Sequence, residues 1–146
     1  MIPKFMFCCF LAAAAAQDIR HRTISGRLLL AGALLGLPWA LGALTAEGFL
    51  PFLAGFLPGL LMLGLSGVTK GAVGTGDGLF FLAAALYLTP GEVFGLFCGG
   101  LLICGIFCGG LMVGRILRGY GYRNCSVPFL PFLLPVFGAF LAFGGW

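Results

Sequence analysis

Long apolar stretches, most of them close to the length that crosses a bilayer, alternate with short patches that hold nearly all the charge. The stretches cover residues 5–16, 28–44, 49–68, 71–88, 93–113 and 127–146. None shows the period-two alternation of a lipid-facing strand, and a helix satisfies its own backbone polar groups in an apolar medium. At about 20 residues per crossing, the pattern predicts an all-α polytopic membrane bundle of about six transmembrane helices. It reads as one integral-membrane domain over residues 1–146, with no room for a second.

Local signals refine these elements. Thr45-Ala46-Glu47-Gly48 and Thr89-Pro90-Gly91-Glu92 read as turns. Gly32-x-x-x-Gly36 and Gly55-x-x-x-Gly59 put small residues on one helix face, where helices pack closely. Gly95, Gly99, Gly105, Gly109, Gly110 and Gly114 do the same along the fifth stretch. Pro38 is a candidate kink in the second stretch, and Pro51 and Pro58 fall in the third. The first stretch has two readings. Lys4 followed by an apolar run and Ala14-Ala15-Ala16 fits a cleaved signal peptide. That reading puts Asp18, Arg20, Arg22 and Arg27 outside, the wrong side for so much positive charge, so the segment is taken as a span.

Composition narrows the class. The chain is 61% hydrophobic and 8% charged, which excludes a soluble globular domain. Its net charge of +4 is no nucleic-acid footprint, because the basic residues are scattered between apolar runs. With both termini outside, Arg20, Arg22, Arg27, Lys70, Arg115, Arg118 and Arg123 all lie on the inner side and only Lys4 outside. Cys8, Cys9, Cys98, Cys104, Cys108 and Cys125 form no Cys-x-x-Cys pair and read as packing residues. Cys104 and Cys108 share a helix face.

The four acids sort by side as well. Glu47 and Glu92 fall in outer turns and read as solvated turn residues, whereas Asp18 and Asp77 both fall at the inner face. An acid near the bilayer centre costs roughly 2.5–3.5 kcal/mol, so its default reading is function. Asp18 ends the first span and Asp77 begins the fourth, so a compact bundle can bring them together. Two adjacent carboxyls, one ionised and one protonated, suit peptide hydrolysis. The ionised one activates water and the protonated one donates to the carbonyl oxygen. Other readings stand beside this one. Asp18 also fits a loop acid paired with Arg20 or Arg22, and Asp77 a helix cap or a partner of Lys70.

Gly74-Thr75-Gly76-Asp77 resembles the Gly-x-Gly-Asp signature of the intramembrane aspartic peptidases. Asp18-Ile19-Arg20-His21-Arg22-Thr23-Ile24 resembles the Asp-x-Arg-x-Arg-x-Ile stretch after the first span of the type IV prepilin peptidases. Residues 71–77 resemble their second catalytic motif, and Val127-Pro128-Phe129-Leu130-Pro131-Phe132 is similar to the segment that opens their last span. The resemblance implies an intramembrane aspartic endopeptidase of the bacterial cytoplasmic membrane. Its substrate would be a pilin-like precursor with an N-terminal leader and a hydrophobic helix, cut at the cytoplasmic face. Asp18 and Asp77 would be the catalytic pair, with Gly74 and Gly76 shaping the motif and Arg20, Arg22 and Lys70 candidates for tuning. No cofactor, metal or nucleic acid is implied; the partners are the precursor and the lipid bilayer. Ser25-Gly26 and Leu79 depart from the family pattern, which often has Pro-Asn and Lys there. The Cys-x-x-Cys domain of larger members is missing, so methyltransferase activity is not expected. Two other classes fit the same features: a small ion-coupled transporter using both acids, and an inactive assembly factor of the same fold.

Overall fold

The computed structural model describes residues 2–21, 24–69, 74–117 and 129–142. They are helical almost throughout: α1 (Ile2–His21), α2 (Gly26–Glu47), α3 (Phe49–Ala54), α4 (Leu57–Val68), α5 (Thr75–Ala84), α6 (Pro90–Leu117), a 3-10 turn (Leu130–Phe132) and α7 (Leu133–Ala142). Four segments are long and apolar enough to cross a membrane: Ile2–His21, Gly26–Ala46, Phe49–Val68 and Pro90–Arg115. Among the described residues, two of the six expected spans are represented by shorter segments. The stretch 71–88 contributes the ten-residue α5, and the last contributes the apolar segment Leu130–Ala142. Arg118, Arg123, Cys125, Trp146 and the stretches 71–73 and 127–128 lie outside the described residues.

Helix ends differ from the sequence expectation for local reasons. Asp18 to His21, expected in a loop, continue α1. Ser25 stops the connection: its hydroxyl accepts from the Leu28 amide at 3.3 Å, and its own amide donates to Gln17 Oε1 at 3.1 Å. Ser25 thus caps α2 and ties it back to α1. The expected turn at 45–48 shrinks to Gly48, whose φ of 89° suits glycine. The third span breaks between α3 and α4 at Gly55 and Phe56, where Pro58 opens the new helix. Pro38 lies inside α2, which runs on through it.

Aromatic rings form the centre. Phe7 meets Phe137 at 5.0 Å, Phe80 at 5.9 Å and Tyr87 at 5.9 Å, and Phe10 stacks on Phe80 at 5.2 Å. These rings join α1, α5 and α7 to the tight turn after α5. In that turn the Tyr87 hydroxyl donates to the Gly32 carbonyl of α2. Missing side chains let the helices approach. A Cβ on Gly32 would enter the Phe10 ring, and one on Gly36 would lie 2.8 Å from Leu86 and Tyr87. On the α4–α5 seam, a Cβ on Gly59 would lie 2.8 Å from the Leu82 backbone nitrogen, and one on Gly78 2.8 Å from Leu63. The fifth-span glycines divide. Gly95, Gly99 and Gly100 pack against Phe140, Val136 and Leu133, whereas a Cβ added at Gly105, Gly109, Gly110 or Gly114 would meet nothing within 4 Å among the described residues.

Glu92 corrects the expectation of a solvated turn residue. It is 5% exposed, accepts from the Thr89 amide at 2.9 Å and pairs with Lys4. Thr89 and Glu92 make the backward half of a capping box at the start of α6. α7 packs against α6 here and sets Phe137, Phe140 and Leu141 beside the Lys4–Glu92 pair, which encloses the carboxylate. The two residues assigned to the outer side by charge therefore meet.

Two stability outcomes follow. Valine at Gly59 must displace backbone and should cost about 1–3 kcal/mol, whereas valine at Gly105 should leave thermal unfolding in detergent nearly unchanged. Lys4→Met leaves Glu92 buried without its cation and should cost on the order of 3 kcal/mol. Adding Glu92→Gln to Lys4→Met, which keeps the Thr89 cap, should restore most of that loss in the same melt.

Candidate active site

Asp18 occupies the last turn of α1 and is 7% exposed. Its neighbours are backbone amides. Oδ2 accepts from the Leu130 amide at 3.3 Å, and the Phe129 amide also points at the carboxyl group. These are the first free N–H groups of the 3-10 turn that leads into α7, where a carboxylate is favoured. The chain end of the first span is thereby tied to the start of the last. Fold and site share this contact: the apolar face of α1 carries Phe7, Phe10, Leu11, Ala14 and Ala15 into the core, and Asp18 follows on the same face.

Asp77 lies in the first turn of α5, three residues past its N-cap, Gly74. The Asp77 amide donates to the Gly74 carbonyl at 3.2 Å. The side chain folds back over that glycine, so that a Cβ on Gly74 would stand 3.0 Å from Asp77 Oδ2. Gly74 has φ −63° and ψ 122°, which any residue adopts. Its small size, not its dihedral freedom, is what the site uses. Gly76 is needed for a different contact: its added Cβ would lie 3.1 Å from Ile24 Cδ1. Ile24 closes the first motif, so the two motifs touch through this pair. Gly78 then seats the same turn of α5 against Leu63 of α4.

The result is that Asp18 and Asp77, 59 positions apart in the chain, come close enough for their charges to act on one another. Asp18 is buried and held by amides, while Asp77 is half-buried. Asp18 is not an exposed loop acid: it stands on α1, buried against the 3-10 turn, and is not paired with Arg20, while Arg22, the other partner considered, lies outside the described residues. Arg20 is exposed and, among the described residues, forms no ion pair. It faces an open depression of about 310 Å³ that it shares with Ala13, Ala16, Gln17, His21 and Leu28. Neither acid lines that depression. Arg22 and Lys70, the other two candidates for tuning, lie outside the described residues. Leu79, which stands where the family often has Lys, is a half-exposed side chain on α5.

Four participants escaped the sequence reading. The amides of Phe129 and Leu130 carry no side-chain signal, although the segment itself was singled out. Gln17 stands just past the first apolar stretch and drew no reading. Cys104 of α6 lies near enough to Asp77 to interact with it electrostatically; its helix position relative to Cys108 was legible, its neighbour across the bundle was not.

Residues 5–111 match the model of the type IV leader peptidase family. The matched stretch contains Asp18, Ile24, Gly74, Gly76 and Asp77 and ends before the 3-10 turn that holds Asp18. No curated protein and no solved structure matches the chain. A match over well above half of the chain, on an all-helical bundle with four membrane-length helices, establishes the membership: the protein belongs to the type IV leader peptidase family.

Proposed function

We propose that the protein is an intramembrane aspartic endopeptidase that removes the leader of type IV pilin-like precursors at the cytoplasmic face, with Asp18 and Asp77 as its catalytic pair. The observation that carries this reading is that two acids from distant helices come within electrostatic reach of each other inside an apolar bundle. Both acids lie in the stretch matched by the family. Isolated acids in such surroundings are costly, and a facing pair is more so, which a purely structural role does not repay.

The chemistry follows from what each carboxyl group can reach. A water between the two carboxyls gives a proton to the ionised one and attacks the peptide carbonyl. The protonated one donates to the carbonyl oxygen and then assists departure of the amine. Asp18 is the anchored partner, since two amides fix its orientation. Asp77 has the freer side chain, supported from behind by Gly74. The two act as a unit, so the order of proton transfers belongs to the pair. A precursor presents its leader joined to an apolar helix, which suits an enzyme whose own exterior is apolar. Leu30, Leu34, Leu41, Leu102 and Ile106 are all exposed on the long helices, as lipid-facing side chains are.

Co-expression with a leader-bearing pilin-like precursor tests the pair. Wild type should shorten the precursor, and Asp18→Asn or Asp77→Asn should each slow cleavage by about 10²–10⁴-fold while leaving the detergent melt unchanged. Equal processing by all three would remove the two-acid mechanism. Gly74→Ala probes the space behind Asp77. A methyl group there must push the carboxyl group aside and should lower the cleavage rate roughly 10–100-fold, with no loss of thermal stability. Cleavage at the wild-type rate would show that Asp77 does not rely on that space.

A further inference from the structure

Cys104 and Cys108 stand one turn apart on α6, with their sulfurs 3.9 Å from each other. Both thiols are free and neither is fully covered. Two thiolates that share one ion through bonds of about 2.3 Å sit roughly 3.8–4.0 Å apart, for angles between tetrahedral and trigonal. The helix therefore already holds this pair at the separation a shared soft centre requires. Thiolate donors select soft, thiophilic ions such as Cu(I) over hard cations. Among the described residues no group of three His, Cys, Asp or Glu side chains is placed to hold a metal ion. A centre bound here takes its remaining ligands from outside these described side chains.

The pair also has a definite place in the bundle. Lys4 of α1 meets Glu92 of α6, which sets the two helices in register. From that point Asp18 lies about 21 Å along α1, and Cys104 and Cys108 lie about 18 and 24 Å along α6. The thiols are at the depth of the acids, and Cys104 is within electrostatic reach of Asp77. Among the described residues nothing lies within 4 Å of a Cβ added at Gly105, Gly109 or Gly110, which leaves room there for a group bound to the sulfurs.

We propose that Cys104 and Cys108 form a dithiol site beside Asp77 for one soft, thiophilic centre, and that filling it closes the approach to the acid pair. The first part stands by itself; the second rests on the peptidase reading. With a trivalent arsenical, R–As=O, two S–H bonds break and two As–S bonds form. The oxygen leaves as water with both thiol protons, and no atom changes oxidation state.

The experiment uses the full chain in detergent with Cys8, Cys9, Cys98 and Cys125 replaced by serine, and phenylarsine oxide as the probe. Intact mass should show one arsenical per chain, with no thiol left for iodoacetamide. The arsenical should be released by 2,3-dimercaptopropanol but not by 2-mercaptoethanol. Cys104→Ser or Cys108→Ser should each weaken retention about 100-fold, the advantage of a second tethered ligand. Equal retention by the single-thiol variants, or two arsenicals per chain, would overturn the site. Should the four-serine chain fail to fold, the same comparison holds in the wild-type background, where losing either cysteine should lower the bound count by one. Precursor cleavage is read separately. Undiminished cleavage by the loaded protein would overturn the closing effect, whereas binding by a chain that never cleaves, loaded or not, would count against the peptidase reading alone.

Discussion

An acid placed in an apolar bundle must be given partners, and the way Asp18 finds them organises this molecule. The end of α1 delivers its carboxyl group to the amides that begin the last helical segment. That contact joins the first and last described elements, and it places a buried acceptor where free N–H groups would otherwise lack one. The aromatic cluster around Phe7, Phe10, Phe80 and Phe137 supports it from the other side. α1 is thus held at three levels: the Lys4–Glu92 pair, the rings and Asp18.

Glycine determines how closely the second acid can approach. Between membrane helices there is no hydrophobic drive of the kind found in water, so close van der Waals packing must do the joining. Gly59 and Gly78 bring α4 and α5 to backbone contact, and Gly76 brings the start of α5 onto Ile24. Each of these omits a side chain that would push α5, and Asp77 with it, off its neighbours. The same residue type further along α6 meets nothing among the described residues. Glycine content therefore marks two kinds of surface here, one already occupied and one open beside the thiols of Cys104 and Cys108.

Family membership and geometry speak to different parts of the function. The match over residues 5–111 identifies a leader peptidase relative. It does not reach the 3-10 turn, although that turn supplies the amides on Asp18. The described structure adds that support as backbone hydrogen bonds. For the proposed catalysis this matters, because amides of a packed turn are oriented before substrate arrives.

The apolar stretches, their breaks and the two sunken acids were legible in the sequence alone, because hydropathy and charge act locally and are written residue by residue. So were the small-residue faces of Gly32, Gly36 and Gly59, and the shared face of Cys104 and Cys108, since helical spacing fixes which neighbours align. Tertiary structure alone decided the rest. Among the described residues it shortened the fourth span to α5, because the turn that follows is anchored by Tyr87 on Gly32. It buried Glu92 against Lys4, split the fifth-span glycines into packed and open, and brought Asp18, Asp77 and Cys104 into one neighbourhood. The physical reason is common to all four: each depends on which helix stands opposite, and that is set by long-range packing that no local pattern encodes.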